Sequence, residues 1–485
     1  MPTKPAQSEA ANWRLWLWGL VLAVTSARLV ALAMNRTDIF VDEAQYWLWG
    51  QSLDFGYYSK PPLIAWVIRA ATELAGSDAP FWLRVPGAVL HGATALILAA
   101  LAGQLYDPRT AFWVGASYVT APFTTVGSLL ISTDTVMAPA YAAALYFYVR
   151  AAKDGRAGCA ALAGAMAGLA FMAKYAAVYF LLGAGLAALF VPAMRLPWRS
   201  IAVMLLAFGA VIAPNIWWNL VHDLTTVSHT VDNVGWLRGG AGAEGLLHIS
   251  ELGWFLANQF LVFGPILLVG LLAAAVGSDR GRGLIWFALP VLAIVCMQAL
   301  LSRAYANWAV ASYFAGVVVA VAYLLARAPW LLPISLALNG AMAVILPVLA
   351  ALAPWPEVTG KPLLQRYLGR ATLSHQIVAA AQDTGAVAVF AADREILADL
   401  FYTGRDAGLR FYAPAPAGRP HNYFEQNFAL PARPEGRVLY VLVSAPVCSG
   451  IPLTPVARFD TARGAFAKRK LAGYVLPDGC EHALD

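Results

Sequence analysis

Apolar residues in this chain gather in long unbroken blocks. Windows of spanning length recur at about 15–34, 82–104, 110–130, 134–150, 157–173, 176–194, 200–217, 252–276, 283–301, 308–326 and 330–350. Each approaches the roughly 17 to 25 apolar residues that carry a helix across a bilayer. The pattern predicts a polytopic α-helical membrane protein with about eleven transmembrane helices. The stretch 62–76 is shorter, carries Arg69 and Glu73 and ends at Gly76, which predicts a surface or half-inserted helix. Were it to span, every later loop would change side. From about residue 355 the pattern changes: 361–383 reads as an amphipathic helix, 386–392 and 437–444 as buried strands, and 394–402 as a helix between turns. Two domains are therefore expected, a transmembrane domain over 1–354 that includes an exported loop at 35–81, and a small extracytoplasmic α/β domain over 355–485.

Composition agrees. Hydrophobic residues make up 60% of the chain and charged residues only 12%, with a mean hydropathy of +0.63, values foreign to soluble globular proteins. The first apolar run follows Arg14 and lacks a small-residue cleavage site, so a retained first span is expected rather than a signal peptide. The net charge of +6 does not point to nucleic acid, because the basic residues are scattered singly and in pairs between apolar runs. They serve better as topological anchors. With the N-terminus in the cytoplasm, the inside loops hold Arg109, then Arg150, Lys153 and Arg156, then Arg195 and Arg199, then Arg280 and Arg282, then Arg327. Every inside loop is then basic. Cys159 and Cys296 lie within apolar runs and read as packing residues, whereas Cys448 and Cys480 share the exported stretch, where they either pair or stay free.

The opposite face collects the unusual polar residues. Asp42 and Glu43 open a short helix whose Tyr46, Trp47 and Trp49 suit a membrane interface. Asp42-Glu43-Ala44-Gln45 also reads as a capping box, with Asp42 bonding the first turn's amides. Lys60 precedes Pro61-Pro62, and either snorkels to headgroups or holds a phosphate as a point charge. Asp134 follows Ser132-Thr133 at a helix start, and Lys174, at a junction between spans, requires an anionic partner. Arg303, Tyr305, Asn307 and Trp308 crowd one outer turn, where the guanidinium caps carbonyls or clamps a phosphate. Asn215 and Asn219, flanking Trp217-Trp218, line a sugar pocket or end a helix in an aromatic belt. The Gly240-Ala241-Gly242-Ala243-Glu244-Gly245 match to a nucleotide-binding loop follows no strand, and reads as a loop tip. His222, His229 and Asp232 match no standard metal spacing, and the sequence leaves a divalent cation open.

Taken in order, Asp42-Glu43-Ala44-Gln45-Tyr46-Trp47, Tyr58-Ser59-Lys60-Pro61-Pro62, Ser132-Thr133-Asp134, Ala173-Lys174-Tyr175, Pro214-Asn215 with Trp218-Asn219, and Ala306-Asn307-Trp308 resemble the bacterial protein-O-mannosyltransferase-like (PMT-type) glycosyltransferases. That group has the GT-C fold and is related to the lipid A aminoarabinose and galacturonic acid transferases. The resemblance covers roughly 15–330 and implies an inverting transfer of a monosaccharide from a polyprenyl-phosphate sugar to a lipid, glycan or protein acceptor. It places the enzyme in the bacterial inner membrane with its active site facing the periplasm. By the same resemblance Asp42 is the general base and Lys60 binds the donor phosphate. Glu43 is expected beside Asp42 as a second carboxylate, and Arg303 and Lys174 around the site as further phosphate clamps or structural supports. Tyr46, Tyr58, Asp134, Asn215, Asn219, Tyr305 and Asn307 are expected around the sugar and acceptor. Two other functions compete on the residues alone: a transporter or flippase of lipid-linked sugars, and a non-catalytic envelope assembly protein. The first is disfavoured because, Lys174 and Arg84 apart, most ionisable residues fall near predicted helix ends.

Overall fold

The computed structural model describes residues 4–234, 247–276, 282–448, 451–477 and 480, without the side chains of 4–11, 232–234 and 282. The Gly240 to Gly245 loop and Arg280 lie outside the described residues, as do the side chains of Asp232 and Arg282. The chain divides into two compact units. One comprises 1–33, 54–77 and 81–347, and the other 34–53, 78–80 and 348–485. The loop expected to be exported, 35–81, is thus shared: 35–53 and 78–80 belong with the C-terminal residues, and 54–77 with the apolar helices.

The first unit holds α1 (Lys4–Ala33), α3 (Leu63–Ala75), α4 (Pro80–Leu105), α5 (Pro108–Thr120), α6 (Pro122–Leu129), α7 (Thr133–Asp154), α8 (Ala157–Ala173), α9 (Tyr179–Phe190), α10 (Trp198–Val221), α11 (Thr225–Val234), α12 (Ile249–Phe263), α13 (Pro265–Ala274), α14 (Arg282–Ile285), α15 (Leu289–Leu301), α16 (Val310–Arg327) and α17 (Leu331–Leu352). The second unit contributes α2 (Val41–Gly50) between α1 and α3. Among the described residues six helical segments are long and apolar enough to cross a membrane: Asn12–Ala33, Pro80–Leu105, Trp198–Val221, Gly283–Leu301, Ala306–Arg327 and Leu331–Leu352. A seventh arises if α12 and α13, bent by 108°, form one broken span. This count falls short of eleven for local reasons. Pro122 divides the window at 110–130 into α5 and α6, Lys174 divides α8 from α9, and the ends of α7 carry Asp134, Arg150, Lys153 and Asp154. The chain is a multi-pass membrane protein.

Close helix approach in this unit depends on small residues. A Cβ at Gly164 on α8 would sit 1.9 Å from the Met204 carbonyl oxygen on α10, so the backbones meet where no other side chain fits. The breaks that position polar groups are equally local. Ser132 caps α7 by accepting from the Thr135 amide at 3.3 Å. Lys174 is extended, with φ −155°, ahead of a 3₁₀ turn at Tyr175–Val178. Tyr305 is extended ahead of a second such turn at Ala306–Ala309.

In the second unit, a short hairpin of β1 (Glu357–Val358) and β2 (Lys361–Pro362) precedes α18 (Arg370–Asp383). The helix expected over 361–383 therefore starts nine residues late, after Gly369 at φ 79°. Next come β3 (Ala388–Ala391), α19 (Arg394–Thr403), β4 (Arg410–Tyr412), α20 (Tyr423–Asn427), β5 (Val438–Leu442), the two-stranded β6 (Val447–Cys448) and β7 (Ile451–Pro452), then β8 (Ala457–Arg458) and β9 (Ala472–Val475). Five strands form one sheet in the order β4-β3-β5-β9-β8. β3 is parallel to both β4 and β5, and β9 is antiparallel to both β5 and β8. Ala388, Phe390, Val438, Tyr440 and Tyr474 form a core on this sheet. Cys448 and Cys480 are joined as a disulfide that ties β6 to the C-terminal residues.

Candidate active site

In the second unit, Asp42 is the second residue of α2. The expected capping box exists with its roles exchanged: the Phe40 amide donates to Glu43 Oε2 at 3.0 Å, and Glu43 is buried. Glu43 therefore holds the helix start and Asp42 is released from that task. Asp42 Oδ1 instead accepts from Arg394 Nη2 at 2.5 Å, and Arg394 Nε donates to Gln45 Oε1 at 2.8 Å. The Asp42 side chain is 47% exposed, accessible enough to meet a substrate. Tyr46, expected in the sugar pocket, is buried and packs on Trp49 at 5.2 Å between ring centroids. Trp47 donates to Asp78 Oδ1 at 2.8 Å and meets Tyr402 edge-on, which fastens α2 to α19.

Arg394, Asp38 and Arg370 were not among the residues singled out from the sequence, and Gln45 figured there only within the capping box and the motif. The Arg370 amide donates to Asp38 Oδ2 at 2.7 Å, and its guanidinium bonds Glu395 at 3.0 Å. One signal was available: an arginine in the first turn of a helix opposes the dipole, so the start of α19 at Asp393-Arg394-Glu395 demands an acidic partner.

In the first unit, Lys174 Nζ donates to both oxygens of Asp134, at 2.7 and 2.8 Å. Asn307 Nδ2 adds a bond to Asp134 Oδ2 at 3.1 Å. Two distant turns thus converge on one carboxylate, and the ammonium expected to clamp a phosphate is paired with the carboxylate expected in the sugar pocket. Only 15% of the Lys174 side chain and 11% of that of Asp134 are exposed. The pair supplies the anionic partner Lys174 required.

Asn215 and Asn219 are buried too, and they work on the chain itself. The Tyr175 hydroxyl donates to Asn215 Oδ1 at 3.0 Å and accepts from Asn219 Nδ2 at 3.2 Å. Asn215 Nδ2 then reaches the Phe55 carbonyl at 2.7 Å, and Thr226 reaches that of Tyr57 at 2.7 Å. Gly56 lies against Trp218 so closely that a Cβ would fall 2.3 Å from the indole. Asn215 thus fastens the loop that carries Tyr58 and Lys60, while Asn219 is tied to it through the Tyr175 hydroxyl. That loop turns tightly, with the Tyr57 amide bonded to the Lys60 carbonyl at 3.1 Å, while Tyr58 is buried edge-on to His229. Arg303 is exposed, donates to the Tyr305 hydroxyl at 2.8 Å and lies over that ring. Gln298 holds the Arg303 carbonyl at 3.2 Å, so a cation and a phenol are presented together, an arrangement suited to phosphate oxygens. An apolar cavity of about 390 Å³ lies between α3 and α4, lined by residues such as Val67, Leu74, Trp82 and Pro86. Among the described residues no group of three or more His, Cys, Asp or Glu could hold a metal ion.

Comparison with known proteins agrees with this architecture. A family model described as dolichyl-phosphate-mannose-protein mannosyltransferase matches residues 59–218. The lipid A galacturonosyltransferase RgtD of Rhizobium johnstonii is 40% identical over 469 residues, 95% of this chain and 98% of that relative. Crystal structures of ArnT from Cupriavidus metallidurans, in the apo state and bound to undecaprenyl phosphate, each superpose with a TM-score of 0.63 at 14% identity. They cover 96% and 97% of this chain and 98% and 99% of theirs, which establishes a common GT-C fold. Because two residues in five are shared with a transferase along nearly the whole of both chains, this chain belongs to the PMT-type membrane glycosyltransferases.

Proposed function

We propose that the enzyme moves galacturonic acid, with inversion, from a polyprenyl-phosphate donor to a lipid A acceptor at the periplasmic face of the bacterial inner membrane. The observation that carries this is the identity of 40% to a lipid A galacturonosyltransferase across 95% of the chain. Asp42 takes the proton of the acceptor hydroxyl, whose oxygen attacks the anomeric carbon as the carbon–oxygen bond to phosphate breaks and the phosphate keeps the electron pair. The phosphate gains negative charge as it departs, so cations lower the barrier and no separate acid is needed. Lys60 and Arg303, with Tyr305, fit that task, whereas Lys174 is spoken for by Asp134.

The finer topology belongs to the same proposal: eleven membrane crossings, made up of the six long spans and the shorter or broken helices, with 355–485 outside the membrane on the periplasmic side. The disulfide supports export, since such bonds persist in oxidising compartments. The apolar cavity beside α3 suits a hydrocarbon chain. The test is a purified full-length enzyme given labelled undecaprenyl-phosphate galacturonic acid and lipid A. Asp42→Asn is expected to lower turnover about a hundredfold or more; wild-type turnover in that variant would remove Asp42 as the base, and no transfer by the wild type would remove the substrate assignment.

A further inference from the structure

We infer that Arg394 is a positioning residue for Asp42, holding one carboxylate oxygen so that the other is aimed at the acceptor hydroxyl; this rests on the proposed role of Asp42 as base. The starting point is what Asp42 does not do. A carboxylate in the first turn of a helix ordinarily turns back to the free amides, but Glu43 occupies the Phe40 amide. Without another restraint the half-exposed Asp42 would sample its rotamers.

Arg394 supplies that restraint with a planar fork. Nη2 donates to Asp42 Oδ1 and Nε to Gln45 Oε1, three residues further along the same helix. Gln45 is only 2% exposed, so the guanidinium plane is pinned by a fixed amide before it reaches the carboxylate. The acidic residues on either side of Arg394 are engaged elsewhere: Asp393 pairs with Arg469 and Glu395 with Arg370. Arg394 is thereby left to α2. Among the described residues no hydrogen bond reaches Asp42 Oδ2, which stays available to accept a proton. The fork gives Asp42 a directional hold at a carboxylate that is 47% exposed.

The experiment uses the full-length enzyme in detergent with the same labelled donor and lipid A. Arg394→Gln is expected to lower kcat by about 10- to 100-fold with the donor KM unchanged, as misplacement of a reacting group does. Arg394→Lys, a point charge without the fork, should recover part of that loss, and Gln45→Met should lose a smaller share. Adding Arg394→Gln to Asp42→Asn should cost nothing further, because the residue acts only through that carboxylate. The inference is overturned if Arg394→Gln turns over like the wild type while Asp42→Asn is inactive, an outcome that leaves the proposed function standing. It is equally overturned if the two losses multiply and track a lowered melting temperature, which marks a purely structural ion pair. Full turnover in Asp42→Asn would instead remove the base itself.

Discussion

Asp134, expected around the sugar and acceptor, is bound on both of its oxygens by other parts of the chain. It is acidic and lies in the first turn of a helix capped by Ser132, and Lys174 holds both of its oxygens while Asn307 bonds one. Removing one member of so shielded a pair strands the other, which typically costs about 3–5 kcal/mol. Asp134→Asn and Lys174→Met are therefore both expected to lower the melting temperature of the purified protein substantially. A variant that melts like the wild type would mean the pair contributes little. The requirement for this pair was legible in the sequence, because a lysine at a junction of apolar helices cannot remain unpaired. Its partner was not legible, since 40 residues separate the two and only the fold says which carboxylate arrives. At Asp42 and Glu43 the capping box itself was legible, but adjacent acids look alike in sequence, and only the backbone decides that Glu43 is the one that turns inward.

Among the elements, α19 carries the most varied chemistry. Its start was legible because Asp393 is a good cap, and its side chain accepts from the Glu395 amide at 2.6 Å. Its far half holds Asp399, 3% exposed, whose carboxyl burial pushes up to about 6; hydrogen bonds from Ser374 and Thr403 oppose this, the Asp38 charge adds to it, and Arg370 opposes it. An acid that binds its proton more tightly folded than unfolded adds stability below its ordinary value near 3.8 and loses that contribution as pH rises through about 6. The contribution corresponds to about 3 kcal/mol. Thermal melts should therefore show a gain on acidification from pH 7 to 5 that Asp399→Asn removes, the variant being the more stable form at pH 7. An identical pH slope in both would exclude Asp399 as the source. The loop at 54–60 teaches the opposite lesson about legibility. Asn215 and Asn219 sat at helical spacing beside tryptophans and suggested a sugar pocket, but four residues along a helix also places two amides over one strand of chain, and here they bind Phe55 and Tyr175.

For the whole molecule, the apolar windows were the most legible feature, since hydrophobic blocks of this length have few other uses. Each predicted window carries helix, and breaks at Pro122 and Lys174 explain why fewer pass as single straight spans. The proposed topology can be checked by introducing single cysteines into the C159S/C296S background at the exposed positions 109, 155, 195 and 327 and at 383 and 433. An impermeant thiol reagent is expected to label the last two in intact spheroplasts and the first four only after lysis. Labelling of the first group in intact cells would invert the arrangement.

One arrangement, the second unit's assembly from both ends of the chain, bears on how the protein is made. Its residues 34–53 leave the ribosome long before 348–485 exist. At about 5–20 residues per second, the roughly 300 intervening residues take some 15 to 60 seconds to synthesise. During that interval α2 has neither α19 nor Arg394 to pack against, so its tryptophans must wait in another apolar environment, and any nascent chain cut short before residue 394 carries an orphaned Asp42.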